Sequence, residues 1–189
     1  MSAHILVLDI AGNPFDWVAP QEAIHYYAIG KVAWELGERE FVFRGGYGKT
    51  GLQSRLIVKP IIAIAGSEIM ARKLRAVLPL GDNNDLLFRR DRHVCAYCAG
   101  RFVSEELTRE HIIPVSRRGL DTWMNCITAC RSCNGRKGNR LPEEARMTLM
   151  YLPYVPSLHE DMILRGRRIL ADQMEFLLAS VPRSSRLHG

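Results

Sequence analysis

The sequence predicts an α+β chain: a central ββα unit clasped by cysteine thiolates, a mixed α/β region before it and helices after it. Three observations carry this. Cys95-x-x-Cys98 and Cys130-x-x-Cys133 form two pairs in the middle of the chain. Short runs rich in Ile, Val and Leu, broken by Gly, Pro or polar clusters, precede them. Apolar residues at helical spacing follow them, up to Pro182.

Residues 4–9 read as a strand. Pro20 through Ile29 reads as a short helix, with Pro in its first turn and Gly30 just past its end. Strand-like runs follow at 31–36, 39–44 and 54–58. The glycine-rich stretch Gly45 to Thr50 invites a phosphate-loop reading. The first glycine of G-x-x-x-x-G-K-T would fall on Phe43, so the stretch is a turn. Residues 66–77 suit another helix, and Leu80 to Asp85 a polar linker.

Residues 107–113 suit a strand ended by Pro114, with a Ser-Arg-Arg-Gly loop after it. A return strand over 124–129 and a helix over 130–137 complete the ββα pattern. Pro142 starts a short helix through about Tyr151. Ser157-Leu158-His159-Glu160 is a capping box opening the last helical segment, which Gly166 weakens or bends. Its stripe (Leu158, Met162, Ile163, Ile169, Leu170, Met174, Leu177, Leu178) reads first as core packing, with a homodimer contact as the alternative. The expected divisions are residues 1–85, 86–141 and 142–189.

Composition narrows the function. No apolar run approaches the ~20 residues of a membrane span; the longest, Pro60 to Ala65, is strand-sized. The first residues lack a basic leader region, and Asp9 interrupts their apolar run, so the expected location is cytoplasmic. Residues 89–140 hold eleven basic against five acidic residues, which accounts for the whole formal charge of +6. Such concentration favours a polyanionic partner, nucleic acid above all, over a merely solvated face.

In a reducing compartment two Cys-x-x-Cys pairs supply four thiolates for a tetrahedral Zn2+ rather than disulfides. Cys95, Cys98, Cys130 and Cys133 are therefore the expected structural zinc ligands. A thiol-disulfide oxidoreductase would want a Cys-x-x-Cys opening a helix in a βαβ unit, a pattern that neither pair shows. Cys126 is left over and reads as a small buried apolar residue.

The stretch Glu110-His111-Ile112-Ile113-Pro114-Val115-Ser116-Arg117-Arg118-Gly119, the Trp123-x-Asn125 pair and Cys130-x-x-Cys133-Asn134-x-x-Lys137 resemble the zinc-knuckle branch of the HNH endonucleases. The run Arg90-Asp91-Arg92-His93-Val94-Cys95-Ala96-Tyr97-Cys98 is similar to the segment that opens that unit in the family. The resemblance spans roughly 89–141. It implies a zinc-clasped ββα-metal (HNH) unit acting on DNA, double-stranded in the first instance. The start of the chain, Ile5 to Asp9 and Gln21 to Ile24, more weakly resembles the N-terminal region of bacterial and phage HNH-family proteins.

The resemblance also implies roles. His111 would be the general base, Glu110 and Asn134 the ligands of a catalytic Mg2+ or Mn2+, and Asn125 the residue that holds the loop or orients the imidazole. Glu110 departs from the Asp common in the family, and Asn134 stands where many members have His. Arg117, Arg118, Arg136, Lys137 and Arg140 flank this set and are the candidates for phosphate contacts. Trp123 and Tyr97 read as packing on the zinc core, and His93 as exposed. The alternative function is a non-catalytic zinc-containing nucleic-acid-binding module. It accounts for charge and cysteines but not for Glu110, His111 and Asn134 at family spacing.

Overall fold

A computed structural model of the chain describes residues 3–66, 78, 80–82, 84–183 and 185–188. Among them the elements run β1 (Ile5–Asp9), β2 (Pro14–Val18), α1 (Pro20–Ala28), β3 (Val32–Leu36), β4 (Phe41–Tyr47), β5 (Gln53–Val58), β6 (Ile61–Ile64), α2 (Asp85–Arg90), β7 (Leu107–His111), β8 (Cys126–Cys130), α3 (Arg131–Lys137), α4 (Leu158–Arg165) and α5 (Ala171–Leu178). The helix expected over 66–77 lies, from residue 67 on, outside the described residues. None of the described helices is long and apolar enough to cross a membrane.

The chain divides into two units, residues 1–76 with 158–184, and residues 77–157 with 185–189. The segment expected as one C-terminal extension is thus shared: 142–157 go with the cysteine pairs and 158–184 with the N-terminal region.

In the first unit β2, β1, β6 and β3 form one sheet, with β1 and β6 parallel and both edge strands antiparallel. β1 is an unbroken apolar run because both its faces are covered. Ile5 and Val7 meet Ala23 of α1 with Val58, Ile62 and Ile64; Leu6 and Leu8 meet Ile61, Ala63, Met162 and Leu177. The apolar stripe of 158–178 is thereby taken up by the sheet. Buried Gln173 donates its amide to His4 O (2.8 Å) and Pro60 O (2.7 Å), tying α5 to both parallel strands. The stripe divides into two helices rather than one bent one. Gly166 follows α4, Arg168 takes a left-handed φ of 57°, and α5 starts at Ala171. β2 was not expected; its Pro14 is tolerated as the first residue of an edge strand. β4 and β5 form a separate hairpin.

In the second unit β7 and β8 pair antiparallel, Leu107 opposite Cys130 and His111 opposite Cys126, and α3 follows β8 directly. One cluster packs Ala96, Tyr97, Ile127, Ala129 and Met147 around the cysteines; another joins Leu80, Leu87, Phe88, Leu107, Trp123 and Cys126. Two expectations change. A helix that was not expected, α2, starts at the last residue of the polar linker, Asp85, because Leu87 and Phe88 bury against the hairpin. The helix expected from Pro142 is a string of turns instead. Arg146 adopts a left-handed φ of 54° and swings Met147 into the cysteine cluster, its N–H donating to Pro142 O at 2.8 Å.

Candidate active site and metal centre

The two Cys-x-x-Cys turns arrive from different elements. Cys95 and Cys98 lie in a turn closed by the Val94–Arg101 bridge, while Cys130 ends β8 and Cys133 lies in the first turn of α3. The second pair does stand at a strand–helix junction, but that strand belongs to an antiparallel hairpin rather than a βαβ unit. All four Sγ atoms lie within 4.8 Å of one another. Burial would raise the Cys95 thiol, yet the N–H groups of Cys130, Cys98 and Tyr97 outweigh it and bring it to about 7. Burial and the adjoining Cys130 and Cys95 push Cys133 up, a repulsion that a central divalent cation removes. Four converging sulfurs with backbone donors suit a structural metal such as zinc.

The same unit holds a pocket of about 230 Å3, and Glu110, His111, Asn134 and Lys137 are among its lining residues. Glu110 and His111 are neighbours at the end of β7, and α3 brings Asn134 opposite. Asn134 commits its Nδ2 to Thr108 Oγ1 (2.8 Å), which leaves the amide oxygen as its open acceptor. Glu110 is buried at 4% exposure. Burial pushes its carboxyl up, and Lys137 offsets this only in part. Its Oε1 receives no well-directed hydrogen bond, although the Lys137 ammonium sits 2.5 Å away. A buried carboxylate and an open amide oxygen that line one pocket are a donor set that fits a hard divalent cation.

Lys137 stands apart from the phosphate contacts expected of it. Its side chain is 1% exposed, and its Nζ also donates to His111 O at 2.8 Å. The signal for this was available: Lys137 is three residues after Asn134 on one helix, so both share the face toward β7. Arg117, Arg118, Arg136 and Arg140 are exposed. Arg117 pairs with Glu144 at 2.7 Å, and Arg140 turns back onto the Arg136 and Lys137 carbonyls.

The partner of His111 was not foreseen. Asp121 Oδ1 lies 2.9 Å from His111 Nε2 and accepts from the Cys126 thiol at 3.2 Å, while Oδ2 meets Arg109 Nη1 at 2.5 Å. Burial works to raise the Asp121 carboxyl, but Cys126, Arg109 and His111 together hold it below the usual range. A carboxylate only accepts, so Nε2 is the donor in this contact, and in the neutral ring Nδ1 holds the lone pair. Cys126 is fully buried, as expected, and is also a donor; burial and the Asp121 charge push its thiol up to about 12.

Asn125 closes the loop between the strands. Its Oδ1 accepts from Ile113 N (2.8 Å), and its Nδ2 donates to Ile113 O (3.1 Å) and Leu120 O (2.9 Å). Gly119 makes this closure possible, since a Cβ there would stand 1.7 Å from Ile113 O. Trp123 and Tyr97 are buried, and Trp123 donates to Leu78 O at 2.6 Å. His93 is half-buried rather than exposed, with Nε2 3.2 Å from Ser104 Oγ.

Arg90 and Asp91, which open the first cysteine motif, also form a structural pair. Both are buried, and Arg90 uses all five N–H donors: Nε and Nη2 on Asp91, Nη1 on Trp123 O and Tyr154 O, and Nη2 again on Cys126 O. Asp91 Oδ2 in turn accepts from Thr128 N at 2.8 Å. This buried fork fixes α2 to β8, the strand paired with β7.

No curated protein matches the chain. A family model described as HNH endonuclease matches residues 95–150, the stretch that carries the clustered cysteines, the hairpin and the pocket. Over these residues the chain is similar to the HNH endonucleases, and its four cysteines are gathered as in a zinc knuckle.

Proposed function

We propose that the chain is a metal-dependent endonuclease that hydrolyses DNA phosphodiester bonds, with His111 as general base. The observation that carries this reading is the shared pocket: Glu110, His111 and Asn134 all line it. His111 takes the proton of the attacking water at Nδ1, because Asp121 holds the proton on Nε2. Asp121, ionised through its pairing with Arg109, then steadies the imidazolium. A Mg2+ or Mn2+ held by the carboxylate of Glu110 and the amide oxygen of Asn134 would neutralise charge at phosphorus and on the leaving 3′ oxygen. Asn125 keeps the loop after His111 closed, and the exposed Arg117, Arg118, Arg136 and Arg140 contact flanking phosphates. The products carry 5′-phosphate and 3′-hydroxyl ends, and a Zn2+ on the four cysteines holds the unit folded.

One observation favours the non-catalytic zinc-containing module: the Lys137 ammonium already satisfies Glu110 in charge. Purified protein incubated with supercoiled plasmid and Mg2+ or Mn2+, beside a His111→Ala variant, decides between them. Nicking by the wild type alone is the expected result. Equal nicking by both, or none by either, would leave the binding module standing.

A further inference from the structure

We infer that the β4–β5 hairpin is a second duplex-DNA contact, a basic two-stranded ribbon that seats in the major groove. Between residues 41 and 58 the chain carries Arg44, Lys49 and Arg55 and no acidic residue. The surrounding N-terminal sequence is otherwise mixed in charge. At the root of the hairpin Glu40 pairs with Lys59 at 3.1 Å, which leaves the three cations of the ribbon uncompensated by it.

The register places Arg44 directly opposite Arg55. Like charges facing each other across an antiparallel pair destabilise it. An anion laid against that face turns this cost into attraction. The opposite face explains why the ribbon holds its shape: Phe41, Phe43 and Leu56 pack with Val58 on the core of the first unit. Beyond that anchor, residues 44–55 are all exposed.

The tip is nonetheless built. Gly48 N donates to Leu52 O (2.8 Å) and Gly51 N to Gly48 O (2.9 Å). Gln53 and Ser54 return hydrogen bonds to the carbonyls of Gly45 and Gly46. The register shift between Arg44 and Tyr47 twists the ribbon there. Gly45 permits it, because a Cβ would lie 2.3 Å from Ser54 Oγ. A two-stranded ribbon is one of the shapes that the major groove of B-DNA admits. Tyr47 and Leu52, each 74% exposed, supply apolar surface beside the cations. The choice of a duplex as occupant rests on the nuclease reading, while the contact itself lies outside the pocket that carries that reading.

The test uses the full zinc-loaded chain with His111→Ala and no added Mg2+ or Mn2+. Binding to a fluorescein-labelled duplex is followed by anisotropy over a salt series. In the Arg44→Ala/Arg55→Ala variant the slope of log affinity against log salt should lose about 1.8 in magnitude, the loss for two phosphate contacts. Lys49→Ala should lose about 0.9. Arg44→Lys/Arg55→Lys should keep the wild-type slope, and so should Thr50→Ala. Removing two opposed like charges does not threaten the fold, which circular dichroism checks. An unchanged slope in both alanine variants overturns the inference, as does a wild-type chain that fails to bind duplex at all. So does loss of binding confined to anionic lipid vesicles or single-stranded RNA. Plasmid nicking by the wild type is read separately. A chain that binds through the hairpin but never nicks would retain this inference and lose the nuclease reading.

Discussion

The Lys137 ammonium lies 2.5 Å from Glu110 Oε1, with both side chains almost wholly withdrawn from water. Removing one partner of such a pair leaves the other charge buried without compensation, at a cost of about 3 to 5 kcal/mol. Lys137→Met should therefore lower the stability of the zinc-loaded domain by about that amount. The double variant Glu110→Gln/Lys137→Met should regain a large part of it. Denaturant unfolding of the wild type, Glu110→Gln, Lys137→Met and the double variant checks the cycle. Additive losses would mean that the two side chains act independently.

With His111 as the proposed base and Asp121 Oδ1 2.9 Å from its Nε2, Asp121→Asn should weaken control of the tautomer without removing that base. Plasmid nicking should fall by roughly 10- to 100-fold, less than the roughly 10²- to 10⁴-fold expected from His111→Ala. The same carboxylate sets a pH dependence. Its folded pKa is depressed, so its stabilising contribution is complete above the unfolded value near 3.8 and disappears as pH falls through the folded value. The stability gap between wild type and Asp121→Asn should thus be constant at neutral pH and close below about pH 4. A gap that widened on acidification would reverse the assignment.

How much of this could be read in advance depended on whether the determining partners were local. β1 and β7 were legible because apolar patterning and a terminating proline mark their positions, and the four cysteines because their spacing is itself the ligand geometry. The helix expected from Pro142 failed because Met147 is drawn into the cysteine cluster, a tertiary demand that the turn at Arg146 meets. α2 was hidden because its stabilising partners, across the unit in β8 and at Trp123, are distant in sequence. The same applies within the site. Glu110, His111 and Asn134 were recognisable by family spacing, whereas Asp121 and the inward turn of Lys137 became visible only once β7, the loop and α3 were assembled.

Gly119 is a steric requirement rather than a flexible joint. A methyl there would stand 1.7 Å from Ile113 O and 3.0 Å from Asn125 Nδ2, the two groups that close the loop after His111. Backbone oxygen cannot rotate away as a side chain would, so Gly119→Ala should cost about 2 kcal/mol or more. It should also lower nicking, because the loop carries the chain from His111 to Asp121. Thermal unfolding beside the activity assay tests both. An alanine variant of wild-type stability would show that the loop is free to open.

The five cysteines should divide by reactivity into four and one. Zinc would occupy the Cys95, Cys98, Cys130 and Cys133 thiolates, whose sulfurs lie within 4.8 Å of one another. Cys126 is protected differently: it has no exposed surface, and its thiol is pushed up to about 12 by burial and by Asp121. The zinc-loaded domain should therefore react slowly with a thiol reagent at every cysteine. A chelator should release one zinc per chain and expose four thiols rapidly. Cys126 should follow only as the domain unfolds, because zinc binding and folding are linked. Cys133→Ser should bind zinc far more weakly and unfold at lower temperature, while Cys126→Ser leaves the stoichiometry at one. Rapid modification of all five thiols before chelation would show that no metal is held by the cluster.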